Sequence, residues 1–229
     1  MAPNHEEEIK KRDDQVLKDA IRDFKRSVEI TRDVRFQANL RLAGRQRASA
    51  YIVSFLSLYV IALSLLPNIL ALKPFQSQIL LACSIVFSVF IIFTSLIDGA
   101  QNFYHQGELL HQCARKIATV HHNLKNIDVD ANAEKARTDF DSLQREYAKA
   151  LDDCPINHAN VDFYHEKVRK PHLFVNEIKW PGASMFKLWF WLKATAFGNF
   201  WVVPHVLVSV EISAILYFWV TEGVTLIGR

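Results

Sequence analysis

The chain has little glycine and little cysteine, and over two long stretches it has no charge. Seven glycines in 229 residues are too few for a nucleotide-binding fold of the usual kind. No Gly-rich phosphate loop, Gly-x-Ser-x-Gly elbow or zinc-type cysteine pair occurs. The three cysteines, Cys83, Cys113 and Cys154, are odd in number and irregularly spaced, which argues against a disulfide framework. The first residues lack an early apolar run and lead into Glu6-Glu7-Glu8, so no signal peptide is expected. The most informative absence is that of Asp, Glu, Lys and Arg from 49–72 and again from 74–97, with Lys73 alone between them. At about 1.5 Å per residue, each 24-residue run reaches about 36 Å as a helix, enough to cross a hydrocarbon core of about 30 Å. The expected fold is all-α: a membrane helical hairpin continuous with cytoplasmic antiparallel helices, plus a third, C-terminal transmembrane helix.

The net charge of +3 and the 50% apolar content conceal this segregation. Five segments are expected: an N-terminal helical arm (1–48), the two-span hairpin (49–97), a helical bundle (98–170), an extended linker with an interfacial segment (171–193), and a last helix with a short tail (194–229). Arg32, Arg35, Arg41, Arg45 and Arg47 crowd the approach to the first span. By the positive-inside rule they place the arm and the bundle in the cytoplasm of a multi-pass membrane protein. Cys113 and Cys154 would then sit where thiols stay reduced. Trp201 and Trp219 are 18 residues apart, about 27 Å along a helix, which suits an indole at each interface of a third crossing. The alternative is a segment lying on the inner leaflet, helped by Pro204.

Outside the spans the apolar residues recur at alternating three- and four-residue steps, the pattern of a helix–helix seam. In the arm these are Leu17, Ile21, Phe24, Val28, Thr31, Arg35, Ala38 and Leu42. Phe103, Gln106, Leu110, Cys113, Ile117, Val120 and Leu124 form a second set, and Ala136, Phe140, Leu143, Tyr147 and Ala150 a third. Asn126, Asp128, Asp130 and Asn132 mark the turn between the last two. The histidines at 105, 111, 121 and 122 lack the spacing of a metal site, and no cofactor is expected.

Three groups of residues stand out as candidate sites. Ser54, Ser57 and Ser64 in the first span, and Ser84 and Ser88 in the second, lie on stripes at heptad spacing. Such hydroxyls either pack helices together, at roughly 0.6–2 kcal/mol each, or line a pore between subunits. Glu211 falls within the third span, where a charge costs about 2.5–3.5 kcal/mol. It is a neutral carboxyl bonded to a neighbouring serine, or one of a ring of acids facing a cation path, or else the segment does not span. The five arginines either anchor to lipid headgroups at about 1 kcal/mol each or form an anion or nucleic-acid site. Asn157, His158 and Asp162 follow a helix end at Cys154-Pro155, as a structural cap or as a sensor cluster.

Arg32, Arg35, Phe36, Ala38, Arg41 and Leu42 before the hairpin, Ser54, Ser57 and Tyr59 within it, and Gly107, Glu108, Leu110, His111, Cys113, Ala114 and Arg115 after it form an ordered set. With Tyr147, Pro155, Asn157, His158, Asp162 and Phe163, this set resembles the SLATT family, most closely its fifth subgroup, over roughly residues 10–170. The resemblance implies a two-span membrane effector of prokaryotic conflict and anti-phage systems, with no enzymatic activity. It implies a latent pore or membrane disruptor that breaches the bacterial inner membrane when a partner sensor signals, and as that partner a co-encoded reverse transcriptase or nucleotide second-messenger synthase; the expected form is a homo-oligomer that forms or gates the pore. The alternative is a non-conducting anchor that recruits a nucleic-acid enzyme to the lipid bilayer.

Overall fold

In the computed structural model of the chain, residues 5–69, 72–174 and 188–189 are described. The expected third crossing, with Glu211, lies outside them, as does most of the expected linker. The described residues are helical, with no strand among them. Their order is α1 (His5–Ile69), α2 (Pro74–Gln101), α3 (Phe103–Leu124), α4 (Ala133–Asp152) and α5 (Asn160–Arg169), closed by a 3₁₀ turn at Pro171–Phe174. They form two compact units. One holds the described residues up to Gln46 and from Gln101 onward, and the other holds Arg47–Ala100. α1 contributes to both.

In the first unit the α1 seam is buried. Leu17, Ile21 and Val28 pack with Ile117, Val120 and Leu124 of α3 and with Ala136, Phe140, Leu143 and Ala150 of α4. Ala38 and Leu42 pack with Phe103 and Leu110. The early part of α1 thus meets the end of α3, and the later part meets its start, so the two helices run antiparallel. Phe24 sits edge-on to Phe140 and Tyr147, at 5.5 and 5.3 Å between ring centroids. Tyr147 spends its hydroxyl on Thr31 Oγ1 at 2.9 Å, so the ring brings no unpaired polar atom into the core.

Each break in this unit has a local cause. Asn102 adopts the left-handed conformation, φ 45° and ψ 49°, a region that asparagine tolerates better than most residues, and there α2 gives way to α3. After α3, Asp128 Oδ1 accepts the backbone N–H groups of Asp130 and Ala131. Asn132 then caps α4 by accepting from Lys135 N–H at 3.0 Å, as N-cap side chains do. Gly107 marks a close approach of α3 to α1: a Cβ there would lie 3.1 Å from Asn39 Oδ1 and 3.5 Å from Leu42 Cβ.

The second unit is the hairpin. α1 ends at Ile69 with Pro67 in its last turn, where the missing N–H leaves the Leu63 carbonyl without its helical donor, and α2 begins at Pro74, a residue suited to a first helical position. Between them Lys73 accepts from Gln76 N–H through its carbonyl and donates its own N–H to Gln76 Oε1. Leu56, Leu63, Leu80 and Phe87 are buried between the helices, with Ile52, Tyr59, Leu66, Cys83 and Phe90 around them. Tyr59 and Phe87 meet edge to face at 5.7 Å. At the other end of the hairpin the buried Ser49 donates a hydrogen bond to Asp98 Oδ2. Outward-facing side chains such as Phe55, Leu58, Leu65, Ile85, Val89 and Phe93 are apolar and more than half exposed, the character that a lipid-facing surface requires.

The cysteines depart from the sequence expectation. Cys113 and Cys154 form a disulfide with a Cα–Cα distance of 5.8 Å, and only Cys83 is free among the described residues. The 41-residue separation hides a proximity that the antiparallel packing of α3 and α4 creates.

Candidate functional site

The polar chemistry of the first unit is concentrated where α5 and its 3₁₀ turn are strapped to α1. Asp162, at the third position of α5, is fully buried. Arg41 grips it with both arms of its guanidinium, Nε to Oδ1 at 2.7 Å and Nη2 to Oδ2 at 3.1 Å, the bidentate geometry that makes arginine–carboxylate pairs strong. The same carboxylate accepts the N–H of Ala159 at 2.9 Å and so closes the helix start. Further along, Lys170 Nζ reaches Glu29 Oε1 at 2.8 Å and Asp33 Oδ2 at 2.7 Å. Arg26 donates through Nε to the Leu173 carbonyl at 2.6 Å. Phe163 and Phe174 pack edge to face at 5.3 Å, with the Lys167 ammonium over both rings. Fully buried Glu166 is paired with Arg169.

This latch continues into a network on α1. Arg32 donates to Asp33 Oδ1 at 2.8 Å and approaches Nδ1 of the buried His121 at 2.8 Å. An arginine N–H there makes Nδ1 the acceptor and leaves the ring proton on Nε2. Burial, and next the charge of Arg32, hold His121 below the usual histidine range. Burial does the same to His165, against the attraction of Asp162. Burial raises the Glu29 carboxyl, but the hydrogen bond and charge of Lys170 outweigh it and hold Glu29 below its usual range. Lys170 is raised because its bonds to Asp33 and Glu29 overcome its own desolvation. Arg35 is 7% exposed on the seam facing α4, and its Nε has no partner among the described residues. Burial lowers its pKa, opposed by Tyr147.

The candidate residues therefore have distinct placements. Arg32, Arg35 and Arg41 turn inward to helix contacts. Arg45 lies over the Phe103 ring at 4.2 Å, and Arg47 is exposed in the second unit. Asn157 and His158 shape the local turn, Asn157 Oδ1 accepting His158 N–H at 2.9 Å, and only Asp162 of that group reaches α1. The serine hydroxyls bond their own helices: Ser54 to the Ala50 carbonyl, Ser57 to Val53, Ser64 to Val60, Ser84 to Leu81 and Ser88 to Ser84, all at 2.8 Å. Ser84 is buried, whereas Ser54 and Ser64 are exposed. The seam of the hairpin is lined by Leu56, Tyr59, Leu63 and Leu66 on α1, a different face from the serine stripe. Lys170, Glu29, Asp33 and Arg26 were not singled out from the sequence. For Lys170, Glu29 and Asp33 the only signal in the sequence is opposite charge across more than a hundred residues, and Arg26, which donates to a backbone carbonyl, leaves none.

Among the described residues two helices are long and apolar enough to cross a membrane, and the described residues up to Gln46 and from Gln101 onward build a latched helical unit. These features are those of an α-helical membrane protein with two candidate spans among its described residues. The chain matches the family described as SMODS and SLOG-associating 2TM effector domain family 5 over residues 17–217, most of its length, and it belongs to that family, the fifth SLATT subgroup. It is thereby a membrane effector domain of conflict systems. No curated protein matches it, and no solved structure does.

Proposed function

We propose that the chain is the membrane-breaching component of a prokaryotic anti-phage system. On this reading it is a homo-oligomer in the inner membrane, with its first unit in the cytoplasm, and it opens a pore when a co-encoded sensor signals. The observation that carries this is the effector-family match spanning both apolar helices. The family's description names association with SMODS and SLOG proteins, which favours a nucleotide-signalling enzyme as partner. A reverse transcriptase fits the same arrangement.

The first unit supplies a device for conditional opening. Its latch acts on α1, the helix that also supplies half of the hairpin. A partner that favours the unlatched packing shifts the population toward it by its difference in affinity for the two states. In the pore, Ser54, Ser57, Ser64, Ser84 and Ser88 border the conduit and Glu211 contributes an acid ring.

The test is to express the chain with the sensor encoded beside it, trigger the sensor, and follow membrane potential with a dye. Depolarisation that requires both proteins is expected. A triggered cell that keeps its potential would rule out the pore. Salt-sensitive RNA binding by the chain without ion flux would favour the recruiting anchor instead. Within a conducting chain, Ser57→Leu with Ser88→Leu should reduce conductance, and Glu211→Gln should weaken cation selectivity. Unchanged currents in both would remove these residues from the conduit.

A further inference from the structure

We propose that Cys113 and Cys154 form a reversible thiol–disulfide switch that fastens the root of the α5 latch to α3. Cys113 is 4% exposed on α3. Cys154 follows the C-cap of α4 and is half-buried. The Cα–Cα distance of 5.8 Å lies within the range that a disulfide spans without backbone movement. Two residues beyond the bond, Ile156 packs on Ala38, Leu42, Phe103 and Leu110. Six residues further on, Asp162 takes the Arg41 grip. The bond therefore pins the connection from which the strap departs. The Lys116–Asp153 ion pair at 2.8 Å links α3 to the end of α4 at the same level. Both of its side chains are about half exposed, so it is a weak substitute.

The proposal rests on the cytoplasmic placement of the first unit given above. That compartment keeps thiols reduced, and cysteine pairs that close there are characteristically transient and redox-sensing. Opening is an exchange with a dithiol reductant of the thioredoxin class. Its thiolate attacks Cys154 Sγ, the more accessible sulfur, forming a mixed disulfide and expelling Cys113 as a thiolate that takes up a proton. The second thiol of the reductant then displaces Cys154, so the reductant leaves as a disulfide and two electrons have passed to the pair. Closure is the reverse exchange, with a small-molecule disulfide such as oxidised glutathione accepting two electrons and two protons.

The test uses the full chain in native membranes, held in reduced or oxidised glutathione buffers, acid-quenched, and labelled under denaturing conditions with a mass-tagged maleimide. Three cysteines should accept three tags when reduced. Only Cys83 should be tagged when oxidised, with full return on re-reduction. Hydrogen exchange across residues 155–174 should be about tenfold faster in the reduced state, reflecting the lost tether, while exchange in α2 stays unchanged. The proposal is overturned by three tags in both buffers. It is equally overturned by one tag in both, the mark of a fixed structural bond, or by equal exchange of 155–174 in the two states. Cys154→Ser should show the fast exchange in either buffer. If that variant fails to fold, the wild-type comparison still decides. None of these readouts involves ion flux, so a non-conducting chain with a working switch would count against the pore alone.

Discussion

Breaking the Arg41–Asp162 pair should release α5 without unfolding the bundle. Asp162 is fully buried and receives three donors, two from Arg41 and one from Ala159. In Asp162→Asn the side chain keeps its size, but Arg41 loses its counter-charge and one oxygen acceptor becomes a donor. Breaking a buried pair by neutralising one partner costs about 3–5 kcal/mol. The Arg41 side chain is 21% exposed and recovers some hydration, so the lower figure of about 3 kcal/mol applies. At about 1.4 kcal/mol per factor of ten, the α5 amides should exchange roughly a hundredfold faster. The amides of α3 and α4 should be unaffected, since their core of Ile117, Val120 and Phe140 does not involve the latch. Arg41→Met should do at least as much, because it strands the buried carboxylate. The double variant Arg41→Met with Asp162→Leu should recover part of the loss, since no charge is left unpaired. Mass-spectrometric hydrogen exchange on the full chain in detergent reads all of this. Exchange of α5 within threefold of wild type in both single variants would refute the latch, as would equal acceleration in every helix.

Phe140→Ala should cost about 3–5 kcal/mol, as large buried aromatics do, whereas Tyr147→Phe should cost about 1 kcal/mol for its bond to Thr31; thermal melts of the two variants give the ranking. Gly107→Val should lower the melting temperature by forcing α3 away from Asn39 and Leu42, at a cost of about 1–3 kcal/mol, and a variant as stable as wild type would show that α3 does not approach α1 so closely. His121 and His165 have pKa values held below their ordinary 6.5, so the unfolded chain binds their protons first. Their contribution is complete above about pH 6.5 and is lost as pH falls toward the depressed folded values. The melting temperature should therefore drop on acidification below that point, and less so in His121→Gln.

The seams were readable because helix burial follows a strict period. Leu17, Ile21, Val28, Ala38 and Leu42 on α1, and Leu110, Ile117, Val120 and Leu124 on α3, are buried at the heptad spacing seen in the sequence. The hairpin was readable from the absence of charge, and the α3–α4 turn from Asp128 and Asn132. The latch was not, because Arg41 and Asp162 are 121 residues apart and an arginine near a span looks the same whether it meets lipid or a buried carboxylate. The disulfide was hidden for the same reason: pairing of Cys113 with Cys154 is set by the register of α3 against α4. The serine stripe has a helical period as well, but in the first span it runs along a different face from the Leu56–Tyr59–Leu63 face that holds the hairpin together.

The most direct test of the account is the sidedness of the hairpin in intact spheroplasts. Lys73→Cys, in the turn between the spans, should gain a tag from a membrane-impermeant maleimide added outside. Glu134→Cys, on the exposed face of α4, should gain one only after the membrane is opened. A turn that reacts solely from the cytosolic side would show that α1 and α2 do not cross the bilayer, and the pore reading would fall with them.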